Sequence, residues 1–85
     1  MDTVYILELN NGQYYIGSTS NIEHRLIEHN SGKTKSIRYK LPAKLVFTQE
    51  FESTSKARNI ESKLKKFKSR AIVKKIIEEG MIKID

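Results

Sequence analysis

VYILELNNGQYYIGST, residues 4–19, decides the fold. Two β-branched and aromatic segments flank NNG, and Asn and Gly tolerate the positive φ that a tight reversal requires. TVYILEL and QYYIGS therefore read as an antiparallel hairpin. Tyr5, Tyr14 and Tyr15 are three of only seven aromatic side chains, four Tyr and three Phe. Tyr5 and Tyr15 lie ten residues apart on strands joined by a short turn, so their rings can lie side by side. Cross-strand packing alone accounts for such a pair. A phenol is also a proton acceptor where cationic neighbours lower its pKa of about 10.

Outward from the hairpin, Ser18, Thr19, Ser20 and Asn21 are helix-start residues. IEHRLIEHN then reads as a helix with Ile22, Leu26 and Ile27 facing inward, ended at NSG. Residues 33–42, KTKSIRYKLP, have no period and read as a basic loop closed by Pro42. AKLVFTQEF is the third strand. STS at 53–55 opens a helix with Ala57, Ile60, Leu64 and Phe67 at helical spacing. RAIVKKIIEE is a further helix, or its continuation past a bend near Ser69, and Gly80 ends it. MIKI adds a short strand or packs as a tail. The order β-β-α-β-α-α predicts an α+β domain over residues 1–85, a three-stranded antiparallel sheet flanked by helices.

The composition narrows the function. No cysteine is present, so neither disulfides nor a thiolate metal site can hold the fold. No apolar run approaches the ~20 residues of a membrane span, and the N-terminus lacks the pattern of a secretion signal. A soluble, cytoplasmic protein is expected. Charge is uneven. Residues 1–30 set Arg25 against Asp2, Glu8, Glu23 and Glu28, a net −3. Residues 33–75 set fourteen Lys or Arg against three Glu, a net +11, within an overall +6. Such a block suits a polyanionic partner, although lysine-rich helix faces also occur simply as solvated surface.

Three groups of residues stand out. Glu61 follows Ala57 by four and precedes Leu64 by three, so it shares the apolar face of its helix. A carboxylate there must be paired, hydrated or metal-bound; pairing with Arg58 or Lys65 is the plain alternative to a functional role. Arg25 and His29 are spaced i, i+4 on one stripe of the first helix, and neighbouring glutamates could pair with them. His24 points elsewhere, to the surface. The tyrosines are the third group.

Together these residues resemble the GIY-YIG nuclease family. Tyr15-Ile16-Gly17 keeps the second half of its signature, and TVY at 3–5 stands for the first, with Thr3 in place of the name-giving glycine. NIEHRLIEHNSGK is similar to the family's arginine helix, and LPAKLVFTQEFESTSKARNIESKLKK to its third strand and glutamate helix. The likeness runs from about Thr3 to Ile77. It implies a metal-dependent endonuclease acting on DNA, or on RNA, in repair, recombination or processing. Tyr5, Tyr15, Arg25, His29 and Glu61 match its functional positions, and Gly17 matches the glycine that allows close backbone approach. Ser18 departs from the lysine of some members, and no late polar residue can be placed after the glutamate helix. A nucleic-acid-binding module weak or inactive in catalysis is the alternative; an adaptor for an acidic protein is the more distant one.

The resemblance implies specific roles. Glu61 would hold one Mg²⁺ or Mn²⁺. A single placed carboxylate suits Mg²⁺, which keeps most of its waters, whereas a two-metal site normally clusters several. Arg25 would donate to a non-bridging phosphate oxygen. Tyr15 would take the proton of the attacking water, Tyr5 would orient that water or share the proton, and His29 would assist by hydrogen bonding or proton relay. Lys33, Lys35, Arg38 and Lys40, with Lys65, Lys66, Lys68 and Arg70, would track the DNA backbone without reading its sequence. DNA shape is the expected determinant of selectivity. Monomer and weak dimer both remain open.

Overall fold

The structure, a computed structural model, describes residues 1–67 and 69–82. Strands β1 (Asp2–Glu8) and β2 (Tyr14–Thr19) form the expected hairpin. At its turn Gly12 takes φ 85°, the left-handed conformation that favours glycine. Helix α1 (Ile22–Asn30) follows, opened by Asn21, whose side chain accepts from the His24 amide. Strand β3 (Lys44–Phe51) precedes helices α2 (Thr54–Phe67) and α3 (Arg70–Glu79). Ser69 caps the start of α3 through the Ile72 amide, so α2 and α3 are separate helices. Gly80 ends α3, as expected.

The sheet is antiparallel in the order β2-β1-β3, which leaves β2 and β3 as edges. Val46 is the extra residue of a bulge: Ile6 faces Phe47, while Leu7 faces Leu45. Each face of the sheet carries its own core. On one, Val4, Ile6, Ile16 and Phe47 pack against Ala57, Ile60 and Leu64 of α2 and Val73 and Ile76 of α3. On the other, Tyr5, Leu7 and Leu9 pack against Ile37 and Ala43, with Ile22 and Leu26 of α1 at the margin. This two-sided burial explains why TVYILEL alternates only in part: the residues of a central strand meet core in both directions.

Three sequence expectations change. The basic segment is not a loop without regular structure: Lys35–Lys40 form a 3₁₀ helix, because Ile37 is drawn into the second core. Ile27 points outward, 69% exposed, and α1 buries His29 instead. Phe67, placed on the apolar stripe, is 45% exposed at the end of α2. In the C-terminal tail, Ile82 packs into the first core and donates its amide to Gln49 at 2.7 Å; the rest of MIKI lies outside the described residues.

Asn30 ties the connection between α1 and β3. Its side-chain oxygen accepts from the Ala43 amide at 2.9 Å, and its side-chain nitrogen reaches the Ala43 carbonyl at 3.3 Å. Among the described residues, no helix is long and apolar enough to cross a membrane.

Candidate active site

Side chains alternate across a strand, so Tyr15 and Gly17 of β2 share the α1 face, whereas Ile16 and Ser18 share the α2 face. In the register Gly17 lies opposite Tyr5, and Tyr15 lies opposite Leu7. The two tyrosines are therefore diagonal neighbours, with ring centroids 6.4 Å apart. The Tyr5 ring lies across the bare backbone of Gly17. A Cβ at Gly17 would stand 2.5 Å from the Tyr5 phenol oxygen and 2.6 Å from Cζ. Glycine is required here by the ring above it.

Tyr5 and His29 are both buried, at 1% and 0% exposure. The Tyr5 hydroxyl lies 2.7 Å from His29 Nε2. On the far side of the imidazole, Nδ1 meets the Thr34 hydroxyl at 2.6 Å. Burial lowers the His29 pKa, the nearby Arg25 charge lowers it further, and Glu28 opposes both. The imidazole is accordingly neutral at pH 7. It carries one N–H and one free nitrogen, and its two hydroxyl neighbours, each donor and acceptor, satisfy either tautomer. Tyr15 completes the cluster edge-on to His29, with centroids 5.0 Å apart.

The Tyr5 phenol is held above its ordinary value, first by burial. Hydrogen bonding to Arg25 pulls it back, and the charges of Tyr15 and Glu61 push it up. The same hydrogen bond raises the Arg25 guanidinium pKa. Tyr5 thus stays protonated at neutral pH and acts as a hydrogen-bonding group. Arg25 is partly exposed and stands 3.6 Å from Glu28. His24 is exposed, as expected, and lies 3.7 Å from the same carboxylate.

Glu61 approaches from the opposite face. Ser18 points toward α2 and donates to Glu61 Oε1 at 2.6 Å. Lys65, one turn on, donates to Oε2 at 2.6 Å. Ser18, the departure from the resembled pattern, is thus the residue that fixes the carboxylate. β2 is an edge strand, and its successive residues Gly17 and Ser18 belong to the two half-sites, Gly17 against Tyr5 and Ser18 against Glu61.

The donor set fits one cation bound mainly through water. Each Glu61 oxygen has one partner and retains acceptor capacity. Among the described residues no three His, Cys, Asp or Glu side chains cluster as metal ligands.

The basic residues fall into two groups, and one member of each, Lys40 and Arg70, reaches the hairpin turn. Lys33, Lys35 and Arg38 are exposed on the α1 side. Lys40 donates to Gln13 at 2.9 Å, and its carbonyl accepts from the Asn10 amide. On the α2 side Lys65, Lys66 and Arg70 are exposed. The Arg70 guanidinium lies 5.4 Å above the Tyr14 ring. Lys68 lies outside the described residues.

Comparison with known proteins decides the family. The GIY-YIG catalytic domain matches residues 1–75. The chain belongs to the GIY-YIG family, a nuclease family. It is 46% identical over 66 residues to a UPF0213 protein of Streptococcus pneumoniae, covering 76% of this chain and 67% of that one. A Staphylococcus saprophyticus UPF0213 protein is 36% identical over 78 residues, covering 91% of this chain and 94% of its own. The solution NMR structure of a UPF0213 protein from Bacillus halodurans superposes with a TM-score of 0.58 at 35% identity, covering 92% of this chain and 84% of that one. Tyr5, Tyr15, Arg25 and His29 were all legible as candidates from the GIY-YIG pattern. Thr34 was not: no spacing rule links it to a histidine five residues earlier on a helix that has already ended.

Proposed function

We propose that this chain is a metal-dependent endonuclease that hydrolyses DNA phosphodiester bonds, selecting DNA by shape rather than sequence, in repair, recombination or processing. The observation that carries the reading is the pairing of the two half-sites around β2. A neutral, hydrogen-bonded Tyr5–His29 pair with Arg25 stands on one side, and a fixed carboxylate stands on the other.

Each residue then has a defined part. Arg25 donates to a non-bridging oxygen of the scissile phosphate, where a fixed guanidinium balances the charge developing on phosphorus. Tyr15, on the more open side of the ring cluster, accepts the proton of the attacking water. Tyr5 keeps its own proton and orients that water, and His29 holds Tyr5 in place. Glu61 would hold one Mg²⁺ or Mn²⁺, which when bound stabilises the leaving oxygen. Ser18 keeps the Glu61 carboxylate turned to the strand edge. The exposed cations on both sides of the hairpin turn bind backbone phosphates. The domain works as a single unit over residues 1–85 in the cytoplasm.

Cleavage of labelled single-stranded, duplex, flap and branched DNA, with Mg²⁺, Mn²⁺ or EDTA, tests this in wild type and Glu61→Ala. Metal-dependent cutting that falls by about 10²-fold or more in the variant is expected. DNA binding without cutting in both proteins would leave a binding module in its place.

A further inference from the structure

A cavity of about 560 Å³ opens on the α2 side of the hairpin, between β2 and the junction of α2 with α3. Its size lies within the range of about 300–1,000 Å³ common to small-ligand pockets. The floor is apolar, made by Ile16, Leu64 and Val73. Tyr14, Lys65 and Arg70 form much of the wall. The lining contains two cations and no carboxylate.

Arg70 is placed in an unusual way. It is the first residue of α3, and it crosses to the hairpin over the Tyr14 ring at 5.4 Å. Its guanidinium comes within 3.7 Å of where a side chain on Gly12 would begin. No carboxylate among the described residues pairs with it. A planar cation held flat against an aromatic ring offers its outer face and its N–H edge to a ligand. The cavity borders the candidate active site: Tyr15 contributes to its lining, and so does Lys65, the partner of Glu61.

We propose that this cavity takes one unpaired nucleotide of the DNA strand, next to the phosphate that is cut. The base lies on the floor of Ile16, Leu64 and Val73 and stacks on the Arg70–Tyr14 pair. Its phosphate is met by Lys65 and by the Arg70 N–H groups. The inference rests on the nuclease reading and deepens it, because a base can enter only where it is unpaired or flipped from its stack. Selection for flaps, gaps and single strands then has a physical origin in one pocket.

Binding measured in EDTA separates this pocket from catalysis. The probes are a fluorescent single-stranded thymidine decamer and the same strand with abasic sites at its central positions. Wild type should bind the intact strand at least about tenfold more tightly, since stacking on a side-chain platform carries that much affinity. Arg70→Lys keeps the charge and removes the plane, and Tyr14→Leu keeps the apolar packing and removes the ring. Both should erase the difference between strands, and Arg70→Lys should leave the salt dependence unchanged. In ¹⁵N spectra the intact strand should shift the amides of Tyr14, Ile16 and Val73. Equal wild-type affinity for both strands overturns the pocket while leaving the nuclease reading intact. A difference that survives both substitutions does the same. No binding of either strand at low salt also overturns the pocket, and the nuclease reading falls only if the cleavage panel shows no metal-dependent cutting.

Discussion

The two faces of the sheet are built from different materials. The α2–α3 face is a core of aliphatic and Phe side chains, closed by Val4, Ile6, Phe47 and Leu64. The α1 face has comparable burial but gives its centre to Tyr5 and His29, both nearly sealed from solvent and tied to each other and to Thr34. Burying polar groups costs free energy unless every one is hydrogen-bonded, and here no buried side-chain nitrogen or oxygen among the described residues lacks a partner. The aliphatic core supplies stability, and the chemistry on that side stands at its rim, in Ser18, Glu61 and Lys65. The polar face exchanges part of that stability for oriented groups that can handle protons.

The contrast can be broken from either side. On the α1 face, Tyr15→Phe should cut cleavage by about 10²–10⁴-fold, the usual worth of a positioned base. Its hydroxyl makes no hydrogen bond among the described residues, so the urea midpoint should hardly move. On the opposite face, Phe47→Ala should cost about 3–5 kcal/mol of stability while the folded fraction keeps its specific activity. A Phe47→Ala protein that is stable but inactive would show that the two faces are not separable in this way. Gly17→Ala tests the seam between them. Its Cβ would meet the buried Tyr5 phenol oxygen at 2.5 Å and the ring carbon Cζ at 2.6 Å, and overpacking of this kind costs about 1–3 kcal/mol. A crystal structure should show the ring displaced, with cleavage reduced alongside.

The smallest effect is the pH dependence of stability. His29 has a pKa below its ordinary 6.5 in the folded chain, so between the two values the unfolded chain binds the extra proton. Stability should therefore fall as pH drops through 6.5 and level off below the folded pKa. Urea titrations from pH 7.5 to about 5 check the sign. Replacing His29 with Gln should flatten the profile, and an unchanged slope would place the titration elsewhere.

The hairpin, most helix caps and the element order were legible because each rests on local chemistry: Asn-Gly at a turn, Asn21 and Ser53 at helix starts, Gly80 at an end. Glu61 announced itself as a charge on an apolar stripe, and its partner Lys65 was foreseeable as its i+4 neighbour. What stayed hidden depends on contacts distant in sequence. Ile37 shapes its basic segment into a 3₁₀ helix only because a core waits beneath it. The burial of His29 and the outward turn of Ile27 are settled by how α1 sits on the sheet, a rotation that its short apolar pattern does not fix. Ser18 acquires meaning only when α2 brings Glu61 to it from 43 residues away.

Asn30 grips both polar atoms of the Ala43 backbone, so the ends of the intervening segment stay together whatever lies between them. Chain added beyond the His29–Thr34 contact, at the exposed end of the 3₁₀ helix near Tyr39 at 90% exposure, would lengthen a connection whose ends are already held. Each doubling of such a loop costs only about 0.6 kcal/mol. This clasp makes the segment a natural port for grafted recognition elements. Residues inserted beside Tyr39, with Ile37 and the Lys40 contacts left in place, would add new targeting while the strands keep their alignment.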